Sequence, residues 1–166
     1  MVKAWLALVM LATLSACATH DSPVNPATDR WGRVRFLLGT WAGEASGDSG
    51  KATVKRTYTL APDGQFINEQ STMRFEATNG RKPEIRHQTG SITYDKDRKT
   101  FMLRLGVQSY ALNTDKSMAE YLIFDAGTAH ASYDVISPNE FVEILEVAEP
   151  GKAWVERGRI HFRRKK

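Results

Sequence analysis

From Thr40 onward, short runs rich in β-branched and aromatic residues are separated by clusters of turn-forming residues. This rhythm predicts strand after strand rather than helix. The runs fall at about 40–47, 51–61, 65–77, 84–94, 99–105, 107–113, 119–125, 129–136, 140–148 and 153–163. The breaks between them have their own chemistry. In Pro62-Asp63-Gly64, proline presets φ and glycine accepts a positive φ, which closes a tight turn. Asn79-Gly80 is a strong two-residue hairpin signal. Asp95-Lys96-Asp97-Arg98, Asn113-Thr114-Asp115-Lys116, Asp125-Ala126-Gly127, Ser137-Pro138-Asn139 and Pro150-Gly151-Lys152 mark the later turns. About ten short strands joined by short turns read as an all-β, antiparallel up-and-down meander. A meander of that length curls and closes, because closure removes both exposed edges.

Alternation along the strands assigns faces. Phe101, Leu103 and Leu105 fall on one side of their strand, and Trp154, Ile160 and Phe162 on one side of the last. Val155, Arg157, Arg159, His161 and Arg163 then point the opposite way, mostly to solvent. In 51–61, Val54, Tyr58 and Leu60 share their face with Arg56. An arginine on an inward face is the kind of group a small barrel uses to meet a ligand carboxylate.

Before Thr40 the pattern changes. Met1-Val2-Lys3 opens with a positive charge, and Ala4–Leu14 is uncharged and mostly apolar. This is the anatomy of a secretory signal, too short to span a bilayer comfortably as a permanent helix. Leu14-Ser15-Ala16-Cys17 at its end resembles the lipobox of bacterial lipoproteins. The resemblance implies diacylglycerol on the Cys17 thiol, cleavage before Cys17, and attachment to membrane lipid by two or three acyl chains, enough for a stable anchor. Ala18, where an aspartate would favour inner-membrane retention, leans the expected location toward the outer membrane, facing the periplasm. Residues 1–16 are therefore read as signal peptide and 17–30, polar with two prolines, as an acylated tether. Residues 31–166 form the single domain, with a short helical turn expected over Trp31–Leu38.

Composition adds exclusions. The formal net charge of the 166-residue chain is +4, and loss of the signal removes only Lys3. Such a balance does not point to nucleic acid. Arg163-Arg164-Lys165-Lys166 reads as a solvated basic tail. Cys17 is the only cysteine, so an intrachain disulfide, a zinc–thiolate site and a cysteine nucleophile are all excluded.

Two stretches carry a resemblance to known barrels. Gly39-Thr40-Trp41, within FLLGTWAGEASG, is similar to the G-x-W that opens the first strand of lipocalins and other calycins. The resemblance implies that Gly39 permits a tight start, that Trp41 plugs the barrel base, and that an arginine of the final strand packs across the indole. Arg157, Arg159 and Arg163 are candidates, with Arg163 preferred by position. Gly90-Ser91-Ile92-Thr93-Tyr94-Asp95 resembles the G-x-I-x-Y-D segment of uncharacterised bacterial lipocalin-like barrels related to nitrobindin-type barrels. The chain departs from lipocalins in having Lys116 where a tyrosine usually follows Thr-Asp, and in ending on a strand. A ten-stranded barrel of the fatty-acid-binding-protein or nitrobindin kind is therefore expected. A nitrobindin-like haem site needs a late-strand histidine, for which only His130 and His161 are placed.

Catalytic motifs are missing. There is no G-x-S-x-G elbow, no H-E-x-x-H and no phosphate loop, and the four histidines never fall at metal-binding spacing. Glu69, Glu143, Glu146 and Glu156 are the carboxylates available for pairing across a barrel, but nothing in the sequence brings two of them together. The expectation is a non-enzymatic, monomeric envelope lipoprotein without cofactor or metal. Its barrel would hold a small apolar or amphipathic ligand, a lipid among the candidates, lined by Arg56, Tyr58, Phe101, Leu103, Tyr121 and Trp154. The alternatives are a haem- or nitric-oxide-handling barrel using His130 or His161, and a structural barrel with a packed interior. Cys17→Ser should abolish membrane retention while the barrel still folds, as membrane fractionation and circular dichroism would check. Continued membrane association would contradict the anchor.

Overall fold

The structure, a computed structural model, describes residues 30–77, 80 and 82–166. The signal and tether expected over 1–16 and 17–30, Cys17 included, lie outside these residues apart from Arg30, as does Asn79 of the expected hairpin turn. The rest is all-β after a single 3₁₀ turn, Arg35–Leu37. Ten strands follow: β1 (Gly39–Gly47), β2 (Ala52–Leu60), β3 (Phe66–Phe75), β4 (Glu84–Asp95), β5 (Thr100–Leu105), β6 (Gln108–Leu112), β7 (Tyr121–Asp125), β8 (Ala129–Ser137), β9 (Glu140–Val147) and β10 (Val155–Arg164). Each pairs antiparallel with its neighbours in sequence, and β10 pairs with β1 to close the barrel.

Local chemistry terminates the strands where the turn residues stand. Asp63 Oδ1 accepts from the Gln65 amide, and Asp95 Oδ1 accepts from the amides of Asp97 and Arg98. These are side-chain mimics of a backbone turn. Gly39 has a φ of +119°, in the region that disfavours side chains, and a Cβ there would sit 2.6 Å from Arg164 Nη1.

One end of the barrel is sealed. Trp31, Val34 and Leu37 of the leading turn are buried against it. Trp41 lies beneath them, fully buried, its indole N–H donating to the Leu37 carbonyl at 2.7 Å. Phe141 contacts the Trp41 ring edge-on at 4.7 Å and the Phe162 ring at 4.8 Å, and Phe36 closes on Phe141 from the turn. Edge-to-face aromatic contacts of this kind add to the gain from burial alone. Phe101, Leu103, Leu122, Phe124 and Tyr133 continue the packed layer.

The arginine that caps Trp41 is Arg164, not Arg163. Its guanidinium lies 4.2 Å from the indole centroid and donates to the carbonyls of Leu38, Phe36 and Pro138. It thereby ties the final strand to the turn that precedes the first. Arg163 points away, with 75% of its side chain exposed beside Glu140. The phase of β10 explains the correction: Ile160 and Phe162 face inward, so the next inward position is Arg164, in register with Trp41.

A second correction concerns the start of that strand. The register of β10 against β9 shifts between Glu156 and Gly158. This bulge breaks the alternation that would have carried Trp154 to the interior. Trp154 stands outside β10 and its ring lies on the outward-facing His130.

Arg164→Ala removes a cation–π contact and leaves three carbonyls without this donor, so it should cost about 2 kcal/mol or more. Arg163→Ala should stay within about 0.5 kcal/mol of the parent. Urea denaturation of the two variants measures the contrast.

Candidate functional site

Above the packed layer the side chains no longer meet across the barrel. A cavity of about 280 Å³ opens toward the end opposite Trp41. Its apolar wall includes Ala45, Met73, Leu105, Ala131, Leu145 and Ile160, and Arg56, Glu143 and Tyr110 supply polar groups. Antiparallel register accounts for the lining. Glu143 pairs with both Ile160 and Tyr133, which places all three on the inner face.

The buried polar cluster centres on Arg56. Its Nη1 donates to Glu143 Oε2 and, at 3.2 Å, to the Tyr58 hydroxyl. Its Nε lies 3.2 Å from Glu69 Oε1, yet the Nε–H is not aimed for a hydrogen bond, and neither Glu69 oxygen has a partner. The guanidinium also stacks 4.8 Å from the Phe162 centroid. Glu69 has room because position 90 is glycine: a Cβ there would meet Glu69 Oε2 at 2.8 Å and the Arg104 carbonyl at 2.7 Å. The hydroxyls of Ser71 and Tyr133 are likewise buried without a partner.

These groups perturb one another. Burial alone would lower the Arg56 guanidinium, but Glu143, Tyr58 and Glu69 outweigh it and hold Arg56 well above its ordinary value. Burial pushes the Glu69 carboxyl up; Arg56 opposes the shift and Glu143 adds to it. Burial also raises the Tyr58 and Tyr133 hydroxyls, and Tyr110 rises through burial and the nearby charge of Glu143.

The expected lining residues are distributed unevenly. Arg56 lines the cavity. Tyr58, Phe101 and Leu103 are buried in the packed hydrophobic cluster. Tyr121 lies on the outer face: it pairs with exposed Asp134, while Leu122 and Phe124 of the same strand point inward. Trp154, at 37% exposure, is outside as well. The wall residues Met73, Leu145 and Ala131 were not singled out from the sequence, although each sits at an alternating position of its strand.

Both candidate haem histidines also face outward. His130 Nε2 lies 2.7 Å from Glu146 Oε2, and His161 Nε2 lies 2.5 Å from Glu140 Oε1. Neither reaches the cavity, so the residues present do not fit an internal haem with a histidine ligand. Among the described residues, no group of three or more His, Cys, Asp or Glu is placed to hold a metal ion.

Closure, the sealed base and the cavity define the class: a small lipocalin-like β-barrel. Solved structures of low sequence identity share this architecture. The chain is similar to the crystal structure of Rv2717c from M. tuberculosis, with a TM-score of 0.56 and 14% identity, covering 82% of this chain and 98% of that one. It is similar also to the S-type phycobiliprotein lyase CPES from Guillardia theta, with a TM-score of 0.54 and 10% identity, covering 80% of this chain and 90% of that one. At these identities the likeness is one of fold alone. No protein-family model matches the chain, and no curated protein matches it in sequence.

The cluster makes a prediction about stability. Arg56→Met leaves two buried carboxylates without their cation and should cost about 3–5 kcal/mol at neutral pH. Glu69→Gln leaves one cation on one carboxylate and should cost far less. Glu69 titrates higher folded than unfolded, so between the two values the folded state holds a proton that the unfolded state has released. Stability from this group is therefore lost as pH rises from the ordinary carboxylate range through the raised value. Urea denaturation from roughly pH 4 to pH 8 should show this decline in the parent and a smaller one in Glu69→Gln.

Proposed function

We propose that this protein is a non-catalytic binding module, whose barrel takes up a small amphipathic molecule, and that acylation of Cys17 holds it at the bacterial envelope. The observation that carries the first part is the division of the interior. The base is filled by aromatic rings, whereas the upper half keeps a cavity with apolar walls and the polar side chains Arg56, Glu143 and Tyr110. Ligand sites have this composition, mostly apolar with a few convergent polar groups that fix orientation. A fully packed structural barrel would have no such space.

The cavity lies at the lower edge of the about 300–1,000 Å³ usual for small-molecule pockets. It suits a short apolar body, and a longer chain would project through the mouth. The reading as a binder rather than an enzyme rests on the character of the polar groups. Arg56, Glu69 and Glu143 form an ion-pair network, and the buried Ser71 hydroxyl has no hydrogen-bond partner to activate it. The envelope assignment rests on the signal anatomy and the Leu-Ser-Ala-Cys stretch.

Protein extracted from its own membrane should release a bound small molecule in native mass spectrometry, and an environment-sensitive fluorophore should bind the barrel and be displaced by amphiphiles. Ala45→Trp, which fills the cavity wall, should abolish fluorophore binding while the circular dichroism spectrum stays that of a β-barrel. Flat titrations together with no bound molecule would refute the binding role.

A further inference from the structure

The inward arginine invites comparison with a carboxylate clamp, but the charge around it argues the reverse. Arg56 is the only cation in the buried cluster, and two glutamates already face it, Glu69 at 3.2 Å from Nε and Glu143 in direct hydrogen bond with Nη1. One positive charge stands against two negative ones. A ligand carboxylate arriving at Arg56 would have to displace Glu143 and would add a third anion to a volume shielded from water.

The two glutamates are not equivalent. Glu69 is fully buried behind the guanidinium and does not line the cavity, whereas Glu143 does. With Glu69 and Arg56 offsetting each other, Glu143 is the charge presented to a ligand. Tyr110 stands on the same wall, and its hydroxyl donates to Gln108 Oε1 at 2.5 Å, leaving the hydroxyl oxygen free to accept. Neither Glu69 oxygen has a hydrogen-bond partner, and the Tyr110 hydroxyl is raised by burial and, after it, by the charge of Glu143.

We propose that the polar end of the ligand is cationic, an aliphatic ammonium seated on Glu143 and the Tyr110 hydroxyl, with its hydrocarbon part along Met73, Leu105 and Leu145. An ammonium offers three donors and no acceptor, which matches the Glu143 carboxylate and the Tyr110 hydroxyl oxygen. Three further arginines line the cavity, and each carries its own counter-ion: Arg86 with Glu84, Arg157 with Asp48 and Arg159 with Glu156. The assignment rests on the barrel being a binding site and names what that site selects.

The test compares three probes of one chain length, octylammonium, octanoate and octan-1-ol, by isothermal titration calorimetry on the full chain in detergent-free buffer at neutral pH. Octylammonium should bind about tenfold or more tightly than octanoate, with octanol between them. Glu143→Gln should weaken octylammonium about tenfold and leave octanol nearly unchanged. The ranking of the probes on the parent protein needs no variant, so it stands even where Glu143→Gln folds poorly. Equal or tighter binding of octanoate would overturn the cationic preference while leaving the binding role intact. Absence of binding by all three would bring down both.

Discussion

Pairing of β10 with β1 is the constraint on which the rest of the molecule depends. It turns a ten-strand ribbon into a ring, gives every strand two neighbours, and fixes which side chains share the interior. The join is reinforced at the base, where Arg164 lies over Trp41 and donates to the carbonyls of Phe36, Leu38 and Pro138. One side chain thus connects the last strand, the first strand and the turn that caps them. The aromatic layer beneath is completed by that register, because Trp41 reaches the cross-strand pair Phe141 and Phe162 only when the ring is closed.

Closure also creates the interior that the aromatic residues do not fill. Small residues on the inner face of the first and eighth strands, Ala45 and Ala131, leave space in the upper half that larger side chains would occupy. Arg56 sits where the packed and open halves meet, stacked on Phe162 below and held by Glu143 at the cavity. Its two carboxylate partners come from strands far apart in sequence and converge only across the ring. A cluster of this kind contributes little net stability and is costly to break, so its value lies in the charge it presents to the cavity.

Much of the fold was legible because turn chemistry and alternation are local. Pro62-Asp63-Gly64 and Asp95–Arg98 stop strands by bonds within a few residues, and the inward position of Arg56 follows from the phase of Val54, Tyr58 and Leu60. The errors arose where local rules fail or were cut short. Ending the last strand at residue 163 hid Arg164, although the phase of Ile160 and Phe162 pointed to it. The bulge at Glu156–Gly158 moved Trp154 outside, which alternation cannot foresee. Tyr121 lies in the run Tyr121-Leu122-Ile123-Phe124, apolar on both faces, which contains no phase to read. Glu69 and Glu143 could be named as candidates, but their meeting on Arg56 is a property of barrel curvature, invisible to any window of sequence.

The contact between Arg164 and the Leu38 carbonyl spans 126 positions along the chain. A barrel that closes through its first and last strands must order almost its whole length before the sealing contacts form. That places it among topologies of high contact order, whose folding is slow relative to helical proteins of equal size. Until the ring closes, β1 and β10 are open strand edges, free to pair with another chain. The contacts that seal the base of the barrel are therefore the ones that carry the greatest loop-closure cost.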